Sequence, residues 1–94
     1  MTNIQDILRR NKASLHLQYG VSRVGLFGSL VRGEATRSSD VDILVEFDRN
    51  ISLFDFIQLE DDLRQLLGRK VDLVEKDALK PIIGQYILKE VVYI

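Results

Sequence analysis

Cysteine is absent from these 94 residues, and histidine occurs once, at His16. The chain therefore has no disulfide frame, no thiolate nucleophile and no Cys-based or His-rich metal site. An excess of either charge is missing too. Thirteen Lys and Arg stand against 14 Asp and Glu, for a formal net charge of −1. That balance gives no electrostatic footprint for a polyanion and disfavours stable nucleic-acid binding. No apolar run approaches a membrane span. The first dozen residues carry Asp6, Arg9, Arg10 and Lys12 where a secretory leader would be apolar. The expectation is a cytoplasmic protein with no membrane contact.

What is there reads as a single domain over residues 1–94, since 46% of the residues are hydrophobic and no linker, repeat or low-complexity tract interrupts them. Thr2 with Gln5 suggests a capping box, after which Ile4, Ile7, Leu8 and Leu15 recur at helical spacing until Gly20. "VSRVGLF" (21–27) reads as a short buried strand. "GSLVRGEATRSSD" (28–40) reads as a loop with room for one helical turn after Gly28. "VDILVEF" (41–47) is a second strand and "DRN" (48–50) a turn. Ser52 can cap a helix whose apolar side is Phe56, Ile57, Leu59, Leu63, Leu66 and Leu67, ending at Gly68. "KVDLVE" (70–75) is a third strand. Pro81 suits a first helical turn, with Ile82, Ile83, Tyr86 and Ile87 as a packing stripe, and "VVYI" adds a short terminal strand. This order implies a small sheet covered by helices, of the α/β or α+β class.

The chemistry begins at "SSDVDILVEF" (38–47). Period-2 alternation puts Asp40, Asp42, Leu44 and Glu46 on one face and Val41, Ile43, Val45 and Phe47 on the other. Two carboxylates thus share a face, roughly 6–7 Å apart along the strand, where they repel each other and resist burial. A divalent cation resolves the conflict: Mg²⁺ takes hard oxygen ligands and bridges carboxylates to substrate phosphates. By itself D-x-D fits a solvated strand start equally well. Two more features weigh against that. Gly28-Ser29 follows the first strand directly, and a glycine there lets backbone N–H groups come close to a phosphate while the hydroxyl adds a donor. Asp72 interrupts the third strand and, if that strand lies beside the second, joins Asp40 and Asp42. Asp72 alone would also serve as a charge guarding a sheet edge.

Gly28-Ser29, ten residues, then Asp40-Val41-Asp42 resembles the G-S-x10-D-x-D signature of the DNA polymerase β-like nucleotidyltransferase superfamily. The wider string "LFGSLVRGEATRSSDVDILVEF" with "SLFDFIQLEDDLRQLLGRKVDLVEKDALKP" is similar to the minimal nucleotidyltransferase family, from about Tyr19 to Val92. That resemblance implies a nucleotidyltransferase fold, a small mixed β-sheet flanked by helices. It also implies an antitoxin whose partner is a HEPN-domain toxin, a ribonuclease, in a type VII-like toxin–antitoxin pair. The implied activity is Mg²⁺-dependent transfer of AMP from ATP to a hydroxyl of that partner, a tyrosine. By position, Asp40, Asp42 and Asp72 would be catalytic and metal-ligating, with two Mg²⁺ ions, and Gly28 and Ser29 would hold the triphosphate. Arg32 is a candidate for neutralising phosphate, or else a surface partner of Glu34; Arg37 shares that ambiguity. Two other readings stay open: an antitoxin that neutralises by occlusion with little catalysis, and transfer to a small molecule or nucleic acid. The remaining polar residues read as bland: His16 a helix residue without a partner, Glu46 solvated or in a salt bridge, "EDD" (60–62) a solvated face, and Tyr19, Tyr86 and Tyr93 packing residues.

Overall fold

A computed structural model describes residues 3–36 and 38–94. Helix α1 (Ile4–Tyr19) leads into strand β1 (Val21–Phe27), and the one-turn helix α2 (Ser29–Arg32) leaves its end. Then come β2 (Val41–Phe47), α3 (Leu53–Leu67), β3 (Val71–Glu75), a 3₁₀ turn at Lys76–Ala78, α4 (Pro81–Glu90) and β4 (Val92–Tyr93). The sheet order is β3-β2-β1-β4. β1 pairs antiparallel with β2 and with β4, while β2 and β3 run parallel, so the sheet is mixed.

The alternation in β1 and β2 decides which face is covered. Val24, Leu26, Val41, Ile43 and Val45 join Leu8 and Leu15 of α1 and Leu59 and Leu63 of α3 in one buried cluster. Val21 joins it as well, although the alternation from Val24 would turn it away. A register shift between Val21 and Arg23 restores the phase. Leu44 is also fully buried but faces the other way, level with Gly25 of β1 and Val74 of β3. That second face carries Asp42.

Several local expectations change. The N-cap of α1 is Asn3, whose Oδ1 accepts from the Asp6 N–H at 2.8 Å; the expected cap, Thr2, lies outside the described residues. Ser52 does cap α3, accepting from the Asp55 N–H at 3.1 Å. His16 has a partner, Asp48 Oδ2 at 2.6 Å, supplied by the turn that brings β2 back past the end of α1. The acidic run on α3 is not wholly solvated: Asp62 accepts from the buried Tyr19 hydroxyl. Burial first, and that bond second, push the Tyr19 pKa well above its usual value. Tyr93 packs as expected, beneath the Arg23 guanidinium at 3.6 Å from the ring centre.

The largest departure is α4. Its apolar stripe does not pack: Ile82 is 72% exposed and Tyr86 73%, and the one buried residue of the helix is Gly84, set against Leu79. The sequence pattern gave the right element and the wrong environment, because periodicity records apolar residues without recording what covers them. Among the described residues, no helix is long and apolar enough to cross a membrane.

Candidate active site

The acids gather where three strand ends meet. β1 runs up to Phe27, which is paired with Asp42 at the start of the antiparallel β2. β3 enters beside β2 in parallel, with Val41 N–H donating to Lys70 O at 2.9 Å, and this register sets Asp42 level with Asp72. Residues level with each other on neighbouring strands share a face. Asp42 and Asp72 therefore stand on the same side of the sheet, and Asp40 lies two residues upstream of Asp42. Asp42 is half-buried, while Asp40 and Asp72 are exposed.

The charges feel one another. Asp42 has its pKa raised, first by loss of solvent, then by the Asp72 and Asp40 carboxylates, with a smaller push from Glu90; Arg32 opposes the rise. The fold has placed an acid where its ionised form is disfavoured. Among the described residues, however, no three Asp, Glu or His side chains are drawn closely enough together to hold a cation as they stand. The donor set is oxygen-only and anionic, which is what a hard divalent cation takes.

Gly28 is fixed by the same geometry. Its φ of 77° with ψ of −152° lies in a region open essentially only to glycine. A Cβ there would sit 2.0 Å from Asp42 Oδ2. The turn can thus lie against the carboxylate only because the residue has no side chain. Ser29 begins α2, half-buried beside it.

Arg32 satisfies part of the sequence reading and adds to it. Its Nε donates to Glu34 at 3.3 Å, and its Nη1 donates to Glu90 Oε1 at 2.6 Å. Arg37 lies outside the described residues. Glu46 has ion-pair neighbours, Arg23 at 3.7 Å and Lys76 at 3.5 Å, and stands farther along β2 than the other acids.

Two residues bear on the site that the sequence did not single out. Glu90, at the end of α4, accepts from the Gly28 N–H at 2.8 Å as well as from Arg32. Arg69 reaches back from the start of β3 to donate to Thr36 O at 2.9 Å and Ser39 O at 2.8 Å. It ties down the loop that delivers Asp40, in which Thr36 N–H also donates to Ser39 Oγ at 2.9 Å. The one hint of Glu90 is its place at a helix C-terminus, where an acid opposes the helix dipole. Arg69 carries no hint at all. Arg69→Ala should free the loop: any reaction that depends on Asp40 should slow about tenfold or more through its misplacement, with little change in unfolding temperature. Kinetics beside a thermal melt would show the split.

A strand-end set of acids on a mixed sheet, beside a glycine-serine turn, is the arrangement that the sequence's resemblance to nucleotidyltransferases implies. The chain belongs to the nucleotidyltransferase domain family, whose pattern its residues 4–94 match. It is 50% identical to the protein adenylyltransferase MntA of Thermococcus cleftensis, over 94 residues covering all of this chain and 95% of that protein. Among solved structures it is similar to one whose own assignment as a minimal nucleotidyltransferase is provisional. There the TM-score is 0.77 and the identity 36%, covering 97% of this chain and 95% of the other. It is also similar to a toxin–antitoxin structure with AMP-PNP, at TM-score 0.72 and 26% identity, covering 96% of this chain and 68% of that one.

Proposed function

We propose that this chain is a protein adenylyltransferase that transfers AMP from ATP to a hydroxyl, a tyrosine's, on a HEPN-domain toxin, and silences it as its antitoxin. The observation that carries this reading is the register that sets Asp42 level with Asp72 at the foot of the Gly28 turn. Full-length identity of 50% to a protein adenylyltransferase supports the choice of AMP and of a protein acceptor. The likeness to a toxin–antitoxin structure with AMP-PNP supports the nucleotide and the setting. We place the pair in the cytoplasm, where a chain without cysteine has no disulfide to lose.

In this mechanism the Gly28 N–H, the Ser29 hydroxyl and Arg32 bind the triphosphate. Asp40, Asp42 and Asp72 would hold Mg²⁺, which supplies neutralisation of the triphosphate and of the departing diphosphate. Asp72, exposed and level with Asp42, accepts the proton of the incoming hydroxyl as it attacks the α-phosphorus. The bond to the β-phosphate oxygen breaks and diphosphate leaves. Alignment of that hydroxyl comes from the partner, and such positioning contributes up to about 7–11 kcal/mol in ideal cases.

The double variant Ser29→Ala, Asp40→Asn tests this against neutralisation by occlusion. It should bind the toxin about as well as the parent, yet transfer no AMP and fail to protect cells. Protection equal to the parent's would mean that occlusion, and not transfer, is what silences the toxin.

A further inference from the structure

Glu90 occupies the place that the nucleotide reading gives to phosphate. It is the last residue of α4, where a negative charge opposes the helix dipole, so local structure does not account for it. Its two oxygens are divided between two donors: Oε2 accepts from the Gly28 N–H at 2.8 Å, and Oε1 accepts from Arg32 Nη1 at 2.6 Å. These bonds hold its carboxyl below the usual range, Arg32 contributing most and the Gly28 N–H next. A carboxylate gripped by one backbone N–H and one guanidinium imitates a phosphate gripped by the same pair. It also brings a further negative charge close enough to disfavour ionised Asp42.

We propose that Glu90 is an internal competitor for the nucleotide's phosphates, a latch that closes the triphosphate site until nucleotide displaces it. This rests on the nucleotide-binding reading above. No covalent bond changes: the Glu90 side chain swings out, and Gly28 N–H and Arg32 exchange one anion for another. The open site is only a fraction of the population, and apparent affinity falls by that fraction. The pocket beside Gly28 is lined by Phe27 and by Ile83, Tyr86 and Ile87 of α4, so the helix that carries the latch also lines this pocket. Weak binding in the closed state would limit idle turnover of ATP when no acceptor is present.

The test is calorimetric titration of the full chain with AMP-PNP and Mg²⁺, without partner. Glu90→Gln keeps the shape and removes the charge. It should bind about three- to tenfold more tightly than the parent. Glu34→Gln is the control: Glu34 also pairs with Arg32, at 3.3 Å, but does not reach Gly28. It should bind within about twofold of the parent, since an exposed pair of this kind contributes little. Carbon-13 NMR of the parent gives a second readout that needs no variant: AMP-PNP should shift the Glu90 side-chain carboxyl together with the Gly28 amide. Equal or weaker binding by Glu90→Gln, or a Gly28 amide that moves while the Glu90 carboxyl does not, overturns the latch and leaves the nucleotide site standing. Failure of parent and variant alike to bind AMP-PNP overturns the nucleotide reading, and the competition with it.

Discussion

Asp42→Asn should reduce AMP transfer by about 10³-fold or more, roughly 4 kcal/mol of lost transition-state stabilisation, while the folded chain holds its stability or gains some. The two effects have one cause. Asp42 is half-buried, and its ionised form is disfavoured by burial and then by Asp72 and Asp40. In the absence of a divalent cation that charge is a burden, and the isosteric amide removes it. The pH dependence follows in sign. The folded chain holds the Asp42 proton more tightly than the unfolded chain does. The group's contribution to stability is therefore fully present below the usual carboxylate range and is withdrawn as pH rises through its raised folded pKa. The advantage of Asp42→Asn over the parent, measured by denaturant titration without divalent ions, should be present at neutral pH and close as the solution is acidified. Unfolding of the variant at neutral pH would make Asp42 a structural residue and sink the account of it.

Gly28→Ala should be nearly as damaging to transfer and, unlike Asp42→Asn, should also cost stability. The backbone at Gly28 lies in a region where a side chain brings about 1–3 kcal/mol of strain. Its Cβ would meet Asp42 Oδ2 at 2.0 Å and Cγ at 2.8 Å, so the carboxylate has to turn away from the position the site needs. Gly33, at the end of α2, separates strain from site. It too has a positive φ, 74°, but nothing lies within 4 Å of where its Cβ would be. Gly33→Ala should therefore cost stability, about 1–2 kcal/mol, and leave transfer largely intact. Chemical denaturation and transfer assays on the two variants together decide it; equal retention of activity would show that Gly28 is an ordinary turn glycine.

The same contrast explains what the sequence disclosed. The side of the sheet taken by Asp42, opposite Val41 and Ile43, follows from strand periodicity, a local and rigid rule, whereas Asp40 lies just before the strand begins. Gly28-Ser29 was legible from its place directly after a buried strand together with the ten residues that separate it from Asp40-Val41-Asp42. The parallel neighbourhood of β2 and β3 was a condition rather than a deduction, and the fold supplies it through the β2–α3–β3 crossover. Glu90 and Arg69 were not legible, since they reach partners 62 and 33 residues away, respectively, and nothing in local spacing encodes such contacts. Likewise the His16–Asp48 pair depends on where a turn lands, and the hold of Gly28 and Arg32 on the Glu90 side chain depends on where α4 ends. That stripe was legible as helix but not as surface. Ile83 and Tyr86 remain exposed where they line the pocket beside Gly28; Ile82 is exposed too, and Phe54 of α3 is 84% exposed.

The most direct test of the account is the intact mass of a HEPN-domain toxin after incubation with this chain, ATP and Mg²⁺, read beside the toxin's ribonuclease activity. The account predicts one or more added AMP masses on the toxin, mapped to a hydroxyl side chain, rising in step with loss of RNA cleavage and absent with Asp42→Asn. A toxin that is silenced while its mass stays unchanged would contradict it.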